Sequence, residues 1–365
     1  MNIALVVHDL HENGGHSLYT RVLADALAAR HRVMVFANQC ERPANAAWQH
    51  QPVAAWRVNA LASVQTFPLG LRRWRDELAR FDICHAQGFC GGRPNVVTAH
   101  ICQASYLASL RDVSARTRTS LQLMLAAEER FYRRYDGHII AISKLVAEDL
   151  RRHYGVRSPI SVIPHGVDRR RFNTGNRDLY RARVRAELGI GAAETVALYV
   201  GDLTKAHSHL KSLAAATPEI QFVIVTRSQT YHWTAPNVRI APATRQPERY
   251  YAAADAFVFP STYDAFGMVV LEAMASGLAV FCSDRAGAAE LITTGSDGVT
   301  LSLDEWVEGT RMGLRDRARL DALGQQAAIT AERHGWDSVV DEVERVYFGI
   351  AGRTEIRKLR GGGYG

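Results

Sequence analysis

The chain has 365 residues, 47% of them hydrophobic, so it is longer than one ordinary domain and apolar enough for two packed cores. Its formal net charge of +7 indicates anionic partners, but charge alone does not choose among nucleic acid, anionic lipid and phosphorylated substrates. Its five cysteines have no CxxC spacing, which argues against a zinc cluster and a disulfide framework.

Signals for membrane insertion or export are not evident in the sequence. No apolar run approaches the ~20 residues that cross a bilayer, and the start MNIALVVHDL lacks the basic region and cleavage site of a signal peptide. We therefore expect a cytoplasmic protein. Arginine-rich stretches interleaved with Trp74, Phe131 and Tyr132 would suit a peripheral position on an anionic membrane surface, although solvated helix faces explain them equally well.

In the first half, apolar runs of strand length alternate with helical patterns. Strands without polar alternation that are separated by helices indicate parallel sheets covered on both faces. We therefore predict a doubly wound, Rossmann-like α/β domain. The predicted strands are NIALVVH, RVMVFA, DICHAQ, NVVTAH, HIIAIS and SVIP, and the predicted helices cover residues 17–30, 113–135 and 144–154.

The alternation stops at PHGVDRRRFNTGNRD and begins again at TVALYVG, which predicts a connection followed by a second α/β domain. Its further strands are QFVIVT, NVRIA, DAFVFP and LAVFCS. The last amphipathic helix could pack back onto the first domain, and the tail RKLRGGGYG carries no packing signal. The predicted boundaries are residues 1–168 for the first domain, 169–190 for the connection, 191–345 for the second domain and 346–365 for the returning helix end and flexible tail.

Six landmarks stand in one order along the whole chain: NGG, VVTAH, IIAISKLVAEDL, VIPHGVD, LYVGDL and STYDAFGMVVLEAMASGLAVFCSD. In this order they resemble a retaining glycosyltransferase of the GT-B fold, glycosyltransferase family 4. The resemblance implies two facing domains, with the acceptor bound by the first and the nucleotide-sugar donor by the second. Open α/β sheets bind ligands at the carboxyl ends of their strands, which agrees with a site in the cleft between such domains.

Glu272 is the only charged residue between Ala265 and Ser283, in a run apolar enough to be buried. A buried carboxylate needs hydrogen-bond donors, or it tends to stay protonated. Asp264 and Glu272 stand at the spacing of the two acids of the resembled family, which implies that Glu272 binds ribose hydroxyls and Asp264 contacts the donor sugar. The family's first acid is usually Glu, so the shorter Asp264 leaves the sugar preference open.

The donor's diphosphate needs positive charge. A helix that begins at Gly267 would leave the N–H groups of Gly267, Met268 and Val269 without intrahelical acceptors, which suits an anion. The resembled family commonly has Gly-Arg at the start of the second domain, whereas here Asp202 follows Gly201. We assign the diphosphate contact to Lys205, with a surface lysine as the alternative and Lys211 and Arg227 in reserve.

In the first domain, Gly14 and Gly15 follow a strand and permit close approach to a ligand, although ordinary loop glycines would look the same. His100 ends the strand of VVTAH, where the resemblance implies a contact with the reacting sugar and a structural histidine is the alternative. His165 is expected to shape the connection. The sequence has neither HExxH nor Asp-x-Asp, so we expect no metal and no cofactor.

The resemblance implies transfer of a hexose with retention of configuration, from a UDP-sugar first or GDP-mannose second. It also implies a glycan or glycolipid acceptor of bacterial lipopolysaccharide core or surface polysaccharide synthesis, and no nucleic-acid partner. Two alternatives stay open. A sugar-nucleotide 2-epimerase has the same architecture, and a non-catalytic protein that binds anionic glycans could use the same basic surface.

Overall fold

The structure, a computed structural model, describes residues 1–11, 14–58, 60–110, 114–228 and 233–361. It divides into two compact units, one formed by Met1–His165 with Trp336–Gly365 and the other by Gly166–Gly335. Each unit is built on a parallel sheet with helices, so the predicted pair of Rossmann-like α/β domains is confirmed. Asn13 of the NGG motif, Val113 at the predicted start of a helix and residues 362–365 of the predicted tail lie outside the described residues.

The main sheet of the first unit has the strand order β5-β3-β1-β6-β7-β8-β9, and every neighbouring pair is parallel. Its central strands are buried on both faces, which explains their unbroken apolar sequences. The strands are β1 (Asn2–Val6), β2 (Asp9–Leu10), β3 (Arg32–Ala37), β4 (Gln39–Cys40), β5 (Gln49–Pro52), β6 (Ile83–Gln87), β7 (Val96–Ala99), β8 (His138–Ala141) and β9 (Ile160–Val162). The short strands β2 and β4 pair with each other.

Helices connect these strands, and their ends follow ordinary capping chemistry. Ser114 and Ser143 accept hydrogen bonds from the first turns of α5 (Ala115–Arg134) and α6 (Lys144–Tyr154), and Gly155 ends α6 in the left-handed conformation. The helices are α1 (Gly15–Ala28), α2 (Ala60–Leu71), α3 (Arg75–Leu78), α4 (Gln103–Ser109), α5 (Ala115–Arg134) and α6 (Lys144–Tyr154).

The sheet of the second unit has the order β12-β11-β10-β13-β14-β15, again parallel throughout. Its strands are β10 (Val196–Val200), β11 (Gln221–Thr226), β12 (Val238–Pro242), β13 (Ala256–Phe259), β14 (Ala279–Ser283) and β15 (Val299–Leu301). Its helices are α7 (Asn176–Glu187), α8 (His207–Ala216), α9 (Glu248–Ala253), α10 (Met268–Ala275), α11 (Trp306–Leu314) and α12 (Arg317–Ala331). Two short 3₁₀ helices cover Leu203–Lys205 and Gly287–Leu291.

Helix α7 lies in the stretch that the sequence suggests as a connection, residues 169–190. It belongs to the second unit and packs against α9. Its inward face consists mostly of arginines, with Val184 as a buried apolar residue. Arg177, Arg181 and Arg185 follow one another at intervals of four residues, and all three contact the buried carboxylate of Asp255. Because that face is charged, an apolar period could not reveal it.

The last helix, α13 (Trp336–Gly361), belongs to the first unit from its first residue, ten residues before the predicted boundary at 346. Tyr347 is fully buried, and its hydroxyl is 2.6 Å from Nδ1 of His85. Glu344 forms an ion pair with Arg30, and its Oε1 lies 2.5 Å from Nε2 of His31. The helix is therefore part of the core of the first unit.

The aromatic residues of the arginine-rich stretches, which we expected to suit a membrane surface, are buried or half-buried. Tyr132 is buried and stacks on Tyr154, and Phe131 is half-buried and stacks on Tyr135. Trp74 is also half-buried. These aromatic side chains pack against the unit, and the arginines share the exposed surface with acidic residues such as Asp76 and Asp136. Within the ranges that the structure describes, no helix is long and apolar enough to cross a membrane.

Candidate functional site

The strand order of the second unit reverses direction between β10 and β13, and in such sheets ligands bind outside the carboxyl ends of the strands at this point. Two loops leave the sheet here. The loop after β10 carries Lys205, and the loop after β13 carries Asp264. The N–H of Thr262 donates to the carbonyl oxygen of Lys205 at 3.1 Å, which fixes one loop against the other.

Lys205 and Asp264 form an ion pair, with 3.4 Å between Nζ and Oδ2. Each side chain is 27% exposed, so the pair is reachable from solvent. The other oxygen of Asp264 accepts from the N–H of Phe266 at 3.2 Å, and its backbone bonds to Arg285 and Gly287. The structure therefore brings together the predicted sugar-binding acid and the predicted diphosphate cation, on a backbone held from two sides.

Asp202, which stands where the resembled family has Arg, has a structural role. Its carboxylate accepts from the N–H of Thr204 and caps the 3₁₀ helix that ends at Lys205. The backbone of Gly201 has a φ of 154°, and a Cβ there would lie 2.9 Å from the hydroxyl of Tyr199. Both residues thus shape the turn that presents Lys205. The reserve cations Lys211 and Arg227 are exposed.

Helix α10 begins directly after this loop. Gly267 is its N-terminal cap and has a φ of 86°, which side-chain-bearing residues rarely adopt. A Cβ on Gly267 would also lie 3.1 Å from the ring of Phe259. The N–H groups of Gly267, Met268 and Val269 belong to the first turn, where helical geometry supplies no acceptor. They lie within five residues of Asp264 and so provide positive potential beside the ion pair.

Glu272 lies on α10 and is partly buried. Burial raises the pKa of its carboxyl to about 7, and the hydrogen bond from Tyr251 and the charge of Arg171 oppose that rise. The hydroxyl of Tyr251, on α9, donates to Oε2 at 2.9 Å. Sequence reasoning assigned the donors for Glu272 to a ligand and missed Tyr251. No spacing rule could have found a partner 21 residues away on another helix.

In the first unit the strand order reverses between β1 and β6, and a cavity of about 230 Å³ lies among residues that follow these strands and β7. His100 is one of them. Its Nε2 is 2.9 Å from Oε1 of Gln87, so the ring nitrogen donates to the amide oxygen. Burial, and then the neighbouring His16, hold the pKa of His100 well below 6.5, so the ring is neutral. The lining residues are His8, His16, Val64, Gln87, Gly88, Phe89, His100, Ile101, Gln103, Met124, Glu128 and Tyr132.

The predicted glycines of the first unit begin α1 immediately before His16. Gly14 is the N-terminal cap, with a φ of 113°, and Gly15 is the first helical residue. A Cβ on Gly14 would meet nothing within 4 Å, so φ rather than space requires glycine there. His165 ends the first of the two segments that form the first unit and is buried, its ring stacked on Tyr19 with 5.2 Å between the ring centroids.

Within the described part of the chain, no group of three His, Cys, Asp or Glu side chains could hold a metal ion. The chemistry of the second unit's site comes from other groups. The Lys205 ammonium and the first turn of α10 offer positive charge and N–H donors. Asp264 and Glu272 offer carboxylate acceptors.

Comparison with known proteins agrees with this geometry. The family model described as Glycosyltransferase Family 4 matches residues 13–171, and the one described as Glycosyl transferases group 1 matches residues 194–314. The chain consists of a glycosyltransferase family 4 domain and a glycosyl transferases group 1 domain. The resemblance drawn from the six sequence landmarks is therefore confirmed, and the protein is a glycosyltransferase.

Relatives of this glycosyltransferase are named for different phosphorylated compounds. A D-inositol 3-phosphate glycosyltransferase of Nocardiopsis dassonvillei is 27% identical over 75% of this chain and 71% of the relative. The protein of the same name from Rhodococcus jostii is 27% identical over 70% of this chain and 61% of the relative. An alpha-maltose-1-phosphate synthase of Mycobacterium tuberculosis is 29% identical over 54% and 56%. The chain thus matches less than two thirds of the length of the last two.

Solved structures match nearly the whole family 4 chain. Sucrose-phosphate synthase from Thermosynechococcus elongatus superposes with a TM-score of 0.77 at 20% identity, over 96% of this chain and 99% of that one. WaaG, a glycosyltransferase involved in lipopolysaccharide biosynthesis, gives 0.78 at 19%, over 95% and 100%. Anabaena HepE in complex with UDP and glucose gives 0.70 at 18%, over 95% and 100%. At these identities the matches establish the GT-B fold.

Proposed function

We propose that this family 4 glycosyltransferase transfers a hexose from a nucleotide-sugar donor to a hydroxyl of a glycan or glycolipid acceptor, with retention of the anomeric configuration. The observation that carries the proposal is the Lys205–Asp264 ion pair at the switch point of the second sheet, beside the first turn of α10. The Lys205 ammonium and the helix N-terminus suit the two phosphates of a sugar diphosphate, and the Asp264 carboxylate suits the hydroxyls of its sugar.

Each group has a role in donor binding. The N–H groups of Gly267, Met268 and Val269 hold the diphosphate, and Lys205 neutralises the charge that it gains as it departs. In that role the ammonium stays near Asp264, whose carboxylate accepts from hydroxyls of the sugar. Glu272, with one oxygen on the Tyr251 hydroxyl, accepts from the ribose hydroxyls with the other.

The residues of the first unit complete the proposal. His100, a neutral ring at the end of β7, contacts the reacting sugar. Gly14 and Gly15 let the start of α1 approach the ligand closely. The HepE structure in complex with UDP and glucose supports a UDP-sugar as the first choice of donor, and GDP-mannose stays the second.

Transfer breaks one bond, forms one bond and moves one proton. The bond between the anomeric carbon and the diphosphate oxygen breaks, and the acceptor oxygen forms its bond on the same face of the sugar. The acceptor's proton passes to the departing phosphate oxygen, so no enzymic nucleophile is required. Positioning and charge stabilisation supply the rate enhancement. Because Lys205 and the helix N-terminus provide the positive charge, we propose that transfer is metal-independent and continues in EDTA.

The deciding experiment is a thermal-shift panel of UDP, GDP, ADP and their common sugar conjugates. A ligand that binds only the folded state raises the melting temperature by mass action. We expect one nucleotide to stabilise the wild type and to lose most of that effect in Glu272→Gln and Lys205→Ala. The matched control is Glu308→Gln, which removes an exposed carboxylate on α11 and should keep the full shift.

The outcomes of this panel separate the alternatives. If no nucleotide stabilises the wild type, the donor-site assignment is wrong. Product analysis follows for the nucleotide that binds. A free epimer formed without acceptor would indicate a 2-epimerase, and an inverted anomer by NMR would contradict retention. The absence of turnover with every acceptor, with nucleotide binding unaffected by Glu272→Gln, would indicate a binding protein.

A further inference from the structure

The cavity of the first unit has features that nucleotide binding in the second unit does not use. It is bounded by His8 after β1, Gln87 at the end of β6 and Gln103 at the start of α4, and α5 closes one side with Glu128. Its volume of about 230 Å³ is smaller than the ~300–1,000 Å³ of sites for drug-sized ligands. The space suits a single ring.

The cavity is electrically neutral near pH 7. Among its lining residues in the described part of the chain there is neither Lys nor Arg. Burial lowers the pKa of His8 to about 4 and also lowers that of His16, so these rings are uncharged. Burial raises the pKa of Glu128 to about 8, so most of this carboxyl is protonated. A phosphate group, which proteins commonly hold with Lys or Arg, finds neither side chain among these lining residues.

Some hydrogen-bonding atoms of the cavity can act only as a donor or only as an acceptor. Because Nε2 of the neutral His100 ring donates to Gln87, Nδ1 of His100 carries a lone pair and can only accept. Nε2 of Gln87 can only donate. Both atoms are buried without a partner among the described residues, and so is Nε2 of His8. Gln87 itself is only 2% exposed.

A hydroxyl group matches this arrangement and an ionised phosphate does not. Two hydroxyls of one ring can pair these atoms, one donating to Nδ1 of His100 and the other accepting from Nε2 of Gln87. A phosphate oxygen only accepts, so it would face the imidazole lone pair. Leaving buried polar atoms unpaired is costly, which makes such a site selective for ligands that pair them.

Glu128 offers the cavity another uncharged group that can form hydrogen bonds with a ligand. It is 6% exposed, and its Oε2 accepts from the N–H of Gln103 at 3.2 Å, so one carboxyl oxygen ties α5 to the start of α4. A protonated carboxyl also has an O–H that can donate to a ligand oxygen. Glu128→Gln would therefore keep both a donor and an acceptor at this position without a charge.

We propose that this cavity binds an uncharged, hydroxyl-bearing ring of the acceptor, and that Gln87 and Glu128 select such a ring over its phosphorylated counterpart. The inference rests on the proposed transferase function, because it names the acceptor class for that reaction. It makes Gln87 and Glu128 specificity-determining residues.

The test uses matched pairs of free rings, glucose with glucose 6-phosphate and inositol with inositol 3-phosphate. Binding to the full chain is measured by ligand-observed NMR titration. We expect a neutral ring of at least one pair to bind at least ~10-fold more tightly than its phosphorylated partner, the equivalent of one lost buried hydrogen bond. Gln87→Leu and Glu128→Leu should each remove that binding, and Glu128→Gln, which keeps a donor and an acceptor at this position, should keep it within about twofold.

Controls separate ligand contact from folding. Glu129→Gln changes the neighbouring residue, which pairs with Arg133 on the surface, and should leave ring binding unchanged. UDP and UDP-glucose binding are measured on every variant. Retention of UDP binding by Gln87→Leu shows that the second unit is folded, and a far-UV circular dichroism spectrum and urea midpoint equal to those of the wild type show that the first unit is folded. Failure of the wild type to bind any nucleotide contradicts the proposed donor site, whatever the rings do.

Three results would overturn the inference while the donor site stands. The first is tighter binding of the phosphorylated ring in both pairs, or no binding of either member. The second is unchanged ring binding in Gln87→Leu. The third is a loss in Gln87→Leu of UDP-glucose affinity relative to UDP, with free rings unaffected, because the cavity would then hold the donor's sugar.

Discussion

Glu272 is a carboxyl whose protonation is linked to folding. Its pKa rises from 4.5 to about 7 in the folded chain because of burial. Between these values the unfolded chain loses its proton first, so this group's contribution to the free energy of unfolding falls as pH rises from about 4.5 to 7. Glu272→Gln removes the effect. We expect the variant's stability relative to the wild type to increase across this window in urea titrations.

A second variant tests whether the surroundings of Glu272 cause this pH dependence of stability. Tyr251→Phe removes the hydrogen bond that opposes the rise in the pKa of Glu272, so the pH-dependent window should extend above pH 7. If the difference in stability between Glu272→Gln and the wild type is the same at pH 5 and pH 8, the carboxyl is not perturbed in the way that the structure indicates.

Gly267 is a position where both backbone and space require glycine. Gly267→Ala would place a residue with a side chain at a φ of 86° and its Cβ 3.1 Å from the Phe259 ring. Gly295 has a φ of 87° and nothing within 4 Å of its Cβ position, so Gly295→Ala isolates the backbone cost, about 1 kcal/mol. We expect Gly267→Ala to lower the free energy of unfolding more than Gly295→Ala does in urea denaturation. Equal losses would mean that the Phe259 contact relaxes freely.

The sequence revealed functional candidates whose chemistry is local. The spacing of Asp264 and Glu272 and the glycine before α10 can be read from one continuous segment, and the structure places Lys205 beside Asp264. Tyr251 could not be predicted, because its contact with Glu272 depends on how two helices pack. The pairing of Gln87 with His100 depends likewise on neighbouring strands that are apart in sequence.

Helix α7 shows how one buried acid holds an element. Asp255 is buried and contacts Arg177, Arg181 and Arg185 of α7 and Arg317 of α12. Asp255→Asn would leave these guanidinium groups without their counter-charge, and breaking a buried ion pair in this way costs about 3 kcal/mol or more. We expect that loss in the free energy of unfolding of the second unit, measured by denaturant titration.

An exposed pair provides the control for Asp255. Glu219 and Arg315 are both nearly half exposed, and their ion pair is open to solvent. Glu219→Gln should therefore leave stability nearly unchanged, because exposed ion pairs contribute little. If Asp255→Asn destabilises the protein no more than Glu219→Gln does, the arginine face of α7 does not depend on this acid.

Elements with strong apolar signals were predictable and polar ones were not. Each strand predicted from an apolar run is present, because a strand buried in a parallel sheet must be apolar on both faces. Strand β5 has the sequence QHQP and is held by backbone pairing with β3 at the sheet edge. Its composition gave no indication of a strand. Helix α7 was missed for a related reason, since its packing face is charged.

The exposed arginines of the first unit are relevant to whether the whole molecule binds a membrane surface. Arg72, Arg73 and Arg75 face solvent, and each basic residue near an anionic membrane contributes about 1 kcal/mol of attraction. We propose that they support peripheral binding to anionic lipid. Changing all three to Gln should weaken co-flotation with vesicles that contain anionic lipid at physiological salt.

The matched control for vesicle binding changes three exposed arginines of the second unit, Arg183, Arg311 and Arg315, to Gln. We expect these changes to have little effect, since each of these side chains already pairs with an acid. Equal losses in both triple variants would indicate a general charge effect, and no flotation of the wild type would contradict peripheral association.

The return of α13 to the first unit has a consequence for synthesis on the ribosome. The second unit is one continuous segment, Gly166–Gly335, whereas the first unit needs Trp336 and the residues after it to complete its core. His85, buried near the start of the chain, meets its partner Tyr347 only when 262 further residues have been made. The unit translated first therefore finishes folding last, and its open core must be kept from aggregating while the rest emerges.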